Sequence, residues 1–512
     1  MSVNSPGTGR TPGTDATVTN ADVIVVGAGP TGLMLAGELS LGGARVVVLE
    51  RLARPTMQSR GLGFTARTME EFDQRGLLPR WGGLETMAMG HFGGVQFDYT
   101  VLPGAHFGAR GVLQWRTEEV LEEWATELGA RVLRGWDVTA LDDAPAGDRV
   151  EVTVATPEGE RRLDASYVVG CDGSRSFVRK AAGFDFPGTA ASRKMYVADV
   201  TGCGLRPRYL GERLPRGMVM VGTLGDGVDR IIVCPHGTPV SDRDQEVSFA
   251  EVAEAWESIT GEDIRHGSAV WASSFTDAAR QASEYRRGRV LLAGDAAHIH
   301  LPAGGQGLST GVQDAVNLGW KLAAVVRGGA PDGLLDSYHA ERHPVGRRLL
   351  MNTRAQGMVF LGGEASDPLR ELFTELIEYE DVKRHLAGVV SHLDIRYDLG
   401  VEHPLVGRRI ADRRLVGAGG ETSTTELLHA GRGVLLDLGD DAAVRGAAAG
   451  RLDRVTLATV TPKPADGVDE LAGVSAVLVR PDGYVAWAAD GTAGLDEALD
   501  RWFGAPAAAT GT

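Results

Sequence analysis

At 512 residues the chain is long enough for roughly three domains of about 150 residues each, with a large buried core. Its formal charge of −16, from 52 basic and 68 acidic residues, disfavours nucleic acid and anionic membranes as partners. Cys171, Cys203 and Cys234 are its three cysteines, far apart and without a CxxC pair. That excludes a zinc ribbon and a thioredoxin-type redox pair, and it fits a reducing cytoplasm.

Residues 1–20 are rich in Gly, Thr and Pro and lack an apolar stretch, the composition of a disordered tail. Val23 to Val26 then reads as a buried parallel strand, followed by Gly27, Gly29 and Gly32 at the spacing of a dinucleotide-binding turn. A helix from Pro30 and Thr31 to Leu41 would offer its free amides and dipole to phosphates. A second apolar run, Val46 to Leu49, ends in Glu50, roughly 20 residues past the turn, where a carboxylate can accept from an adenosine ribose. The apolar window 23–41 holds three glycines, Pro30 and Glu38, so it is the nucleotide turn and not a membrane span.

Further along, Thr68 to Gln74 predicts a helix, and 81–111 a Gly- and aromatic-rich excursion into a second domain. Thr117 to Leu128 predicts a helix capped by Thr117. Val150, Val152 and Val154, the turn Pro157 to Gly159 and Leu163 predict a hairpin, and Tyr167 to Val169 a strand. Between Phe184 and Tyr285, runs at Met195 to Val200, Met218 to Leu224 and Val228 to Cys234 read as an antiparallel sheet, with one helix at Phe249 to Ser258. The buried-strand pattern resumes at Arg289 to Leu292, followed by helices at Val312 to Val326 and from Leu335. After Gly400 come strands at Val434 to Leu438 and Val455 to Val460, an Ala-rich linker at Ala442 to Ala449, and a hairpin about Pro481–Asp482–Gly483. Leu495, Ala498, Leu499, Trp502 and Phe503 mark one face of a closing helix.

Two motifs turn the generic nucleotide site into a flavin site. Gly170 to Gly183 places Asp172 and Gly173 at a strand end, with Arg175 and Arg179 just after. Gly288 to Ala323 ends a strand in Gly294–Asp295, where a carboxylate can accept from a ribityl hydroxyl. Its loop Pro302 to Gly307 then enters a helix through Ser309 and Thr310, bringing amides and a dipole toward the pyrimidine side of a flavin. His298 and His300 with Asp295 could be drawn as metal ligands, but Asp295 has this competing role and the histidines are read as shaping the loop; no metal is expected.

With these motifs in this order, the chain resembles the single-component FAD-dependent aromatic hydroxylases of the para-hydroxybenzoate hydroxylase fold, and more narrowly the bacterial hydroxylases of anthracycline- and angucycline-type polyketides. The resemblance runs from about residue 21 onward and includes Ser59 to Leu78, the LQWRTE stretch and the SAVLVRPDGYVAWA hairpin. It implies an α/β architecture: an interrupted Rossmann-like FAD domain (21–185 and 286–399, with 82–112 partly in the substrate domain), an inserted antiparallel sheet domain (186–285), and a thioredoxin-like domain (400–512) without redox cysteines. The FAD contacts it implies are Gly27, Gly29, Pro30, Thr31, Gly32, Glu50, Arg51, Arg60, Gln114, Val138, Asp172, Asp295, Pro302, Gly305, Gly307 and Leu308. Relatives usually carry Asn where Ser309 stands, which weakens any side-chain role there but not the backbone one.

The implied reaction is hydroxylation of a polycyclic aromatic polyketide, a phenol or quinone, through a flavin C4a-hydroperoxide formed from dioxygen after NADPH reduces FAD. No second GxGxxG unit is present, so NADPH would dock transiently. The nine tryptophans supply no WxWxIP signature, which sets a halogenase aside. Arg396, Tyr397 and the Pro302 loop are the candidate catalytic groups; a surface ion pair is the plainer reading of Arg396. Two other readings stay open: a Baeyer–Villiger or oxidase flavoenzyme, and a non-catalytic FAD-fold protein that binds partners. A homodimer is also left open.

Overall fold

The strand Ala21–Val26 (β1) lies at the centre of a parallel sheet. Val46–Glu50 pairs with it on one side and Gly159–Gly170 on the other, and Arg131–Arg134 and Val290–Leu292 extend the two flanks, all parallel. This computed structural model describes residues 21–506 apart from 83–85, 103–107, 109, 143–146, 239, 241–245 and 465–468; the expected N-terminal tail lies outside them. The β1 side chains are buried on both faces, as continuous apolar strands under helices require. Helix α1 (Pro30–Leu41) packs on Gln306–Val326 and Gln114–Glu127. Glycines permit the close crossings: a Cβ at Gly37 would lie 2.0 Å from the Trp124 ring, and one at Gly319 would lie 2.3 Å from the Glu38 Cβ.

The second arm of the expected hairpin and the Tyr167 strand are one element, Gly159–Gly170. Its first half pairs antiparallel with Val150–Thr156 and its second half parallel with β1. The expected cap at Thr117 is corrected. The helix begins at Gln114, and Thr117 is buried inside it, its hydroxyl turned back to the Leu113 carbonyl at 3.5 Å.

The inserted layer is a five-stranded antiparallel sheet in the order Arg208–Leu214, Gly217–Gly225, Val228–Pro235, Lys194–Thr201, Ser268–Thr276. One face, including Tyr196, Ala198, Val219, Val221, Ile231 and Val233, packs on Trp256 and its helix Phe249–Thr260. Residues 89–98 form a separate hairpin whose Phe92, Val95 and Phe97 pack against Ile377, Leu386 and Val390.

In the last part of the chain a mixed six-stranded sheet is built on the parallel pair Gly433–Asp437 and Val455–Pro462. The Ala-rich stretch expected as a linker is instead the helix Ala442–Ala448, capped by the Asp441 carboxylate on the Ala443 amide at 2.7 Å. The closing helix Leu495–Phe503 buries Leu495, Leu499, Trp502 and Phe503.

The hairpin turn Pro481–Asp482–Gly483 is plugged into a charged socket on the flavin-side helices. Arg67 donates to the Asp482 carbonyl and Arg75 to the Pro481 carbonyl, both at 2.8 Å. Arg480 grips Glu341 at 2.6 Å, and Lys321 reaches the same carboxylate at 2.9 Å. No helix of the described residues is long and apolar enough to cross a membrane.

Candidate flavin and substrate site

At the first turn the three glycines have separate tasks. Gly27 has φ +106°, and a Cβ there would lie 2.5 Å from the Cys171 carbonyl oxygen. A Cβ at Gly32 would lie 2.0 Å from the Gly27 carbonyl oxygen, so both positions are fixed by close packing. At Gly29, which caps α1 ahead of Pro30, a Cβ would meet no described atom within 4 Å. Its backbone therefore borders open space beside the free amides of a helix start, the geometry a pyrophosphate needs. Glu50 is already tied to this turn: its carboxylate accepts from the Ala28 amide at 2.8 Å and the Leu52 amide at 2.9 Å. Arg51 beside it is exposed.

Asp172 is first a helix cap. One carboxylate oxygen accepts from the Phe177 and Val178 amides at 2.6 and 3.0 Å; the other has no partner among the described residues. Arg179 on that helix donates to the Ala296 carbonyl at 2.8 Å, joining this motif to the Gly294–Asp295 turn. A Cβ at Gly294 would lie 2.7 Å from the Thr31 hydroxyl, and one at Gly311 would lie 2.3 Å from it, so α1, the turn and the long helix converge at Thr31. Asp295 is open to solvent in this cleft, although surrounding protein raises its carboxyl pKa against the pull of His298 and Arg60.

The sequence reading missed what holds that turn. Asp314, buried on the long helix, accepts from the Gly294 amide at 3.1 Å, contacts His298 Nε2 at 2.7 Å, and accepts from Arg342 Nε at 2.7 Å. Burial alone would raise its pKa; Arg342 and His298 outweigh burial and hold it below the usual carboxylate range. A signal was available: Asp314, Asn317 and Lys321 fall at i, i+3 and i+7 in a stretch of helix that is otherwise apolar from Ala315 to Val326, so one buried stripe must find polar partners.

The Ser59–Gly63 loop reaches the N-terminus of the same helix. Gly61 donates to Gln114 at 3.1 Å, and a Cβ on it would lie 2.8 Å from the Leu308 side chain. Arg60 is exposed at this point. Ser309 has a side-chain role after all: its hydroxyl accepts from the Thr65 amide at 2.9 Å. Pro302 leads into a helical turn whose Gly304 and Gly305 have φ of +70° and +65°, and the long helix then starts at Gln306. Under the loop, His392 bridges Gln306 at 3.2 Å and Gln313 at 2.9 Å. Burial lowers the pKa of His300 to about 4 and of His392 to about 3, so both are neutral at pH 7.

Opposite the loop lies the second face of the inserted sheet. Met195, Met218 and Cys234 pack with Leu301 and Leu361, and Met220, Ile232, Phe275, Ala303 and Phe360 join them. This is an apolar, methionine-rich wall set against the loop that enters the flavin helix.

Two expected catalytic residues lie elsewhere. Arg396 is exposed and donates to the Val406 and His403 carbonyls at 3.1 and 2.8 Å. Tyr397 is buried against Tyr484, ring centroids 4.3 Å apart, and accepts from Arg342 at 3.1 Å. Arg342 and Asp314 link it to the Gly294 turn. Val138 stays near the Glu50 strand end: its side chain joins the core of the parallel sheet, and Trp136, two residues before it, donates its amide to the Glu50 carbonyl at 2.9 Å. His298 is engaged by Asp314 and His300 by the Leu301 carbonyl at 2.7 Å, and no cluster of metal-ligating side chains occurs among the described residues.

Two family models match, an FAD binding domain over residues 20–353 and an aromatic-ring hydroxylase C-terminal domain over residues 403–506. A 12-dehydrotetracycline 5-monooxygenase/anhydrotetracycline 6-monooxygenase of Streptomyces rimosus is 45% identical, over 95% of this chain and 99% of that protein. The solved structure of CabE, an aromatic hydroxylase from angucycline biosynthesis, superposes with a TM-score of 0.92 at 62% identity, covering 95% of this chain and all (100%) of that one. A dialkyldecalin synthase of Streptomyces rugosporus is 42% identical over 95% of this chain and 99% of its own length, so a different activity also occurs among the relatives. The open backbone at Gly29, the Asp172 oxygen without a partner among the described residues, and the accessible Asp295 fit the cofactor of the first family. This chain belongs to the FAD-dependent aromatic-ring hydroxylases and is a flavin-dependent monooxygenase.

Proposed function

We propose that the protein hydroxylates a polycyclic aromatic polyketide, a phenol or quinone, on carbon, using NADPH and dioxygen, in the making of an antibiotic-type metabolite. The observation that carries this is the apolar wall of Met195, Met218, Met220, Ile232 and Phe275 facing Leu301 and Ala303 of the flavin loop. A flat, multi-ring ligand suits such a surface, and methionines adapt to its outline. The angucycline and tetracycline enzymes among the relatives support the same substrate class.

When bound and reduced, FAD supplies an activated oxygen; orientation and water exclusion fall to the chain. Gly27, Gly29 and α1 would hold the pyrophosphate, Asp295 the ribityl chain, and the amides at the start of Gln306–Val326 the pyrimidine edge. Neutral His300 and His392 leave the charge under that edge to the helix dipole. Asp314 keeps Gly294 and therefore Asp295 in register.

The test is NADPH consumption by the holoenzyme with phenolic polycycles under labelled dioxygen. Substrate-stimulated oxidation with one labelled oxygen on a ring carbon, and loss of most of a deuterium placed there, is expected. A lactone that keeps all its deuterium would replace hydroxylation by Baeyer–Villiger chemistry, and no stimulated oxidation with any polycycle would refute the substrate class.

A further inference from the structure

The wall that faces the flavin loop is built of three cross-strand rows. In the first, Met218 stands opposite Cys234 and Met195 opposite Phe275. In the second, Ile232 stands between Met220 and Val197, with Ser273 beyond. The third row changes character: Gly222 faces Arg230, which faces Asp199, which faces Trp271. Since side chains two apart share a face, all three rows look the same way, and the first and third are about 13 Å apart along the strand. The first row packs on Leu301 and Leu361.

Arg230 is 3% exposed and Asp199 7%. The guanidinium meets the carboxylate side-on, Nε to Oδ1 at 2.5 Å and Nη2 to Oδ2 at 2.8 Å, and Trp271 Nε1 donates to Oδ2 at 2.5 Å. Trp271 also stacks near the guanidinium, 5.1 Å from carbon to ring centroid. Three donors thus fix the carboxylate, and the arginine is locked in one pose. Its Nη1 has no partner among the described residues. A buried charged donor without an acceptor is costly, so an acceptor brought to that atom would be stabilised there. Beside it, a Cβ on Gly222 would meet only the edge of the Tyr209 ring at 3.9 Å, and Tyr209 is itself exposed at the sheet rim. The missing side chain therefore leaves room next to the arginine at the outer end of a wall that is apolar but for Ser273.

We propose that Arg230, locked by Asp199 and Trp271 beside Gly222, recognises an oxygen acceptor on the ring of the substrate farthest from the one oxidised. The acceptor is a ketone, a phenolic oxygen or a carboxylate, and the spacing of the rows suits three to four fused rings. This rests on the reading of the wall as the substrate surface. Apolar contacts give affinity but discriminate poorly between ring systems, whereas a locked donor rejects an analogue that lacks its acceptor. The site is thus a specificity element placed away from the reacting carbon.

The test is equilibrium binding to the holoenzyme, followed by flavin absorbance. The probes are a benz[a]anthraquinone with a ketone on its terminal ring and the same compound without it. Wild type should bind the ketone at least tenfold more tightly. Gly222→Val fills the space and leaves the Arg230–Asp199 pair alone; Arg230→Lys keeps a cation without the planar fork. Each should bring the ratio of the two affinities close to one, a change that mere loosening of the sheet would not produce. Equal binding of both probes by wild type, or a ratio unchanged in both variants, would overturn the proposal. If wild type binds neither probe, the substrate reading falls and this inference with it.

Discussion

Replacing Asp314 with Asn tests whether the flavin turn is held from behind. The carboxylate serves the Gly294 amide, His298 Nε2 and Arg342 Nε at once, and both it and Arg342 are inaccessible to water. Asn keeps the shape but removes the charge opposite a buried guanidinium and sets an NH2 group against one of its donors. Breaking one side of a buried pair costs about 3–5 kcal/mol, a large part of the ~5–15 kcal/mol that holds a domain folded. We expect Asp314→Asn to lose about 3 kcal/mol in urea unfolding, read by circular dichroism and by the rise of flavin fluorescence, and to weaken FAD binding at least tenfold. Asp314 has a depressed carboxyl pKa, so its contribution is complete above the ordinary value of 3.8 and is lost as pH falls through the lower folded value. The deficit of the variant should accordingly be flat between pH 5 and 8. Removing both charges while keeping an amide oxygen for the Gly294 amide, Asp314→Asn with Arg342→Met, should recover most of the loss, because it strands no ion. An Asp314→Asn protein within 1 kcal/mol of wild type that keeps its FAD would refute the reasoning, as would a double variant no better than the single one.

Gly29→Val should fold, since a Cβ there meets no described atom within 4 Å, yet place a branched side chain where we propose the pyrophosphate lies; the expected product is colourless apoprotein, and a yellow, fully loaded variant would remove the turn from the FAD site. His392 and His300 have pKa values lowered from 6.5 to about 3 and about 4 by burial, so the stability they contribute is complete above pH 6.5 and declines as pH falls toward those folded values, where the unfolded chain binds protons first. His392→Gln should therefore reduce the acid slope of unfolding by up to about 1.4 kcal/mol per pH unit between pH 6 and 4, measured by urea titration across that range; an unchanged slope would contradict the assignment.

The strand ends at Gly27 and Gly294 and the wall strands were readable because each is a local pattern: an apolar run, then glycine or a carboxylate at fixed spacing. The same locality explains the errors. Thr117 has the composition of a cap, but its neighbours Gln114 and Leu113 already start the helix, and Gln114 is held there by the Gly61 amide. Asp314 and His392 owe their places to residues 28 and 86 positions away, and no window of sequence contains those partners. Arg396 and Tyr397 looked catalytic because they follow the flavin helices in sequence; in space they sit against 403–406 and Tyr484. Ser309 shows the reverse case, where departure from the usual residue concealed a contact with the Thr65 amide.

The hairpin lodged at Asp482 bears on how this enzyme can be recombined. Arg67, Arg75, Lys321 and Glu341 are nearly or fully buried, and each has a partner on, or one step removed from, that turn. Cutting the chain before residue 400 would expose a ring of ions built to be covered. A terminal unit borrowed from another hydroxylase would have to bring an arginine and a carboxylate to the same two positions. The long helix that receives the hairpin at Asn317 starts at the flavin loop, so a poor graft would be felt as lost FAD before any change at the substrate wall. The terminal unit is therefore fitted to this particular flavin domain and is not a portable module.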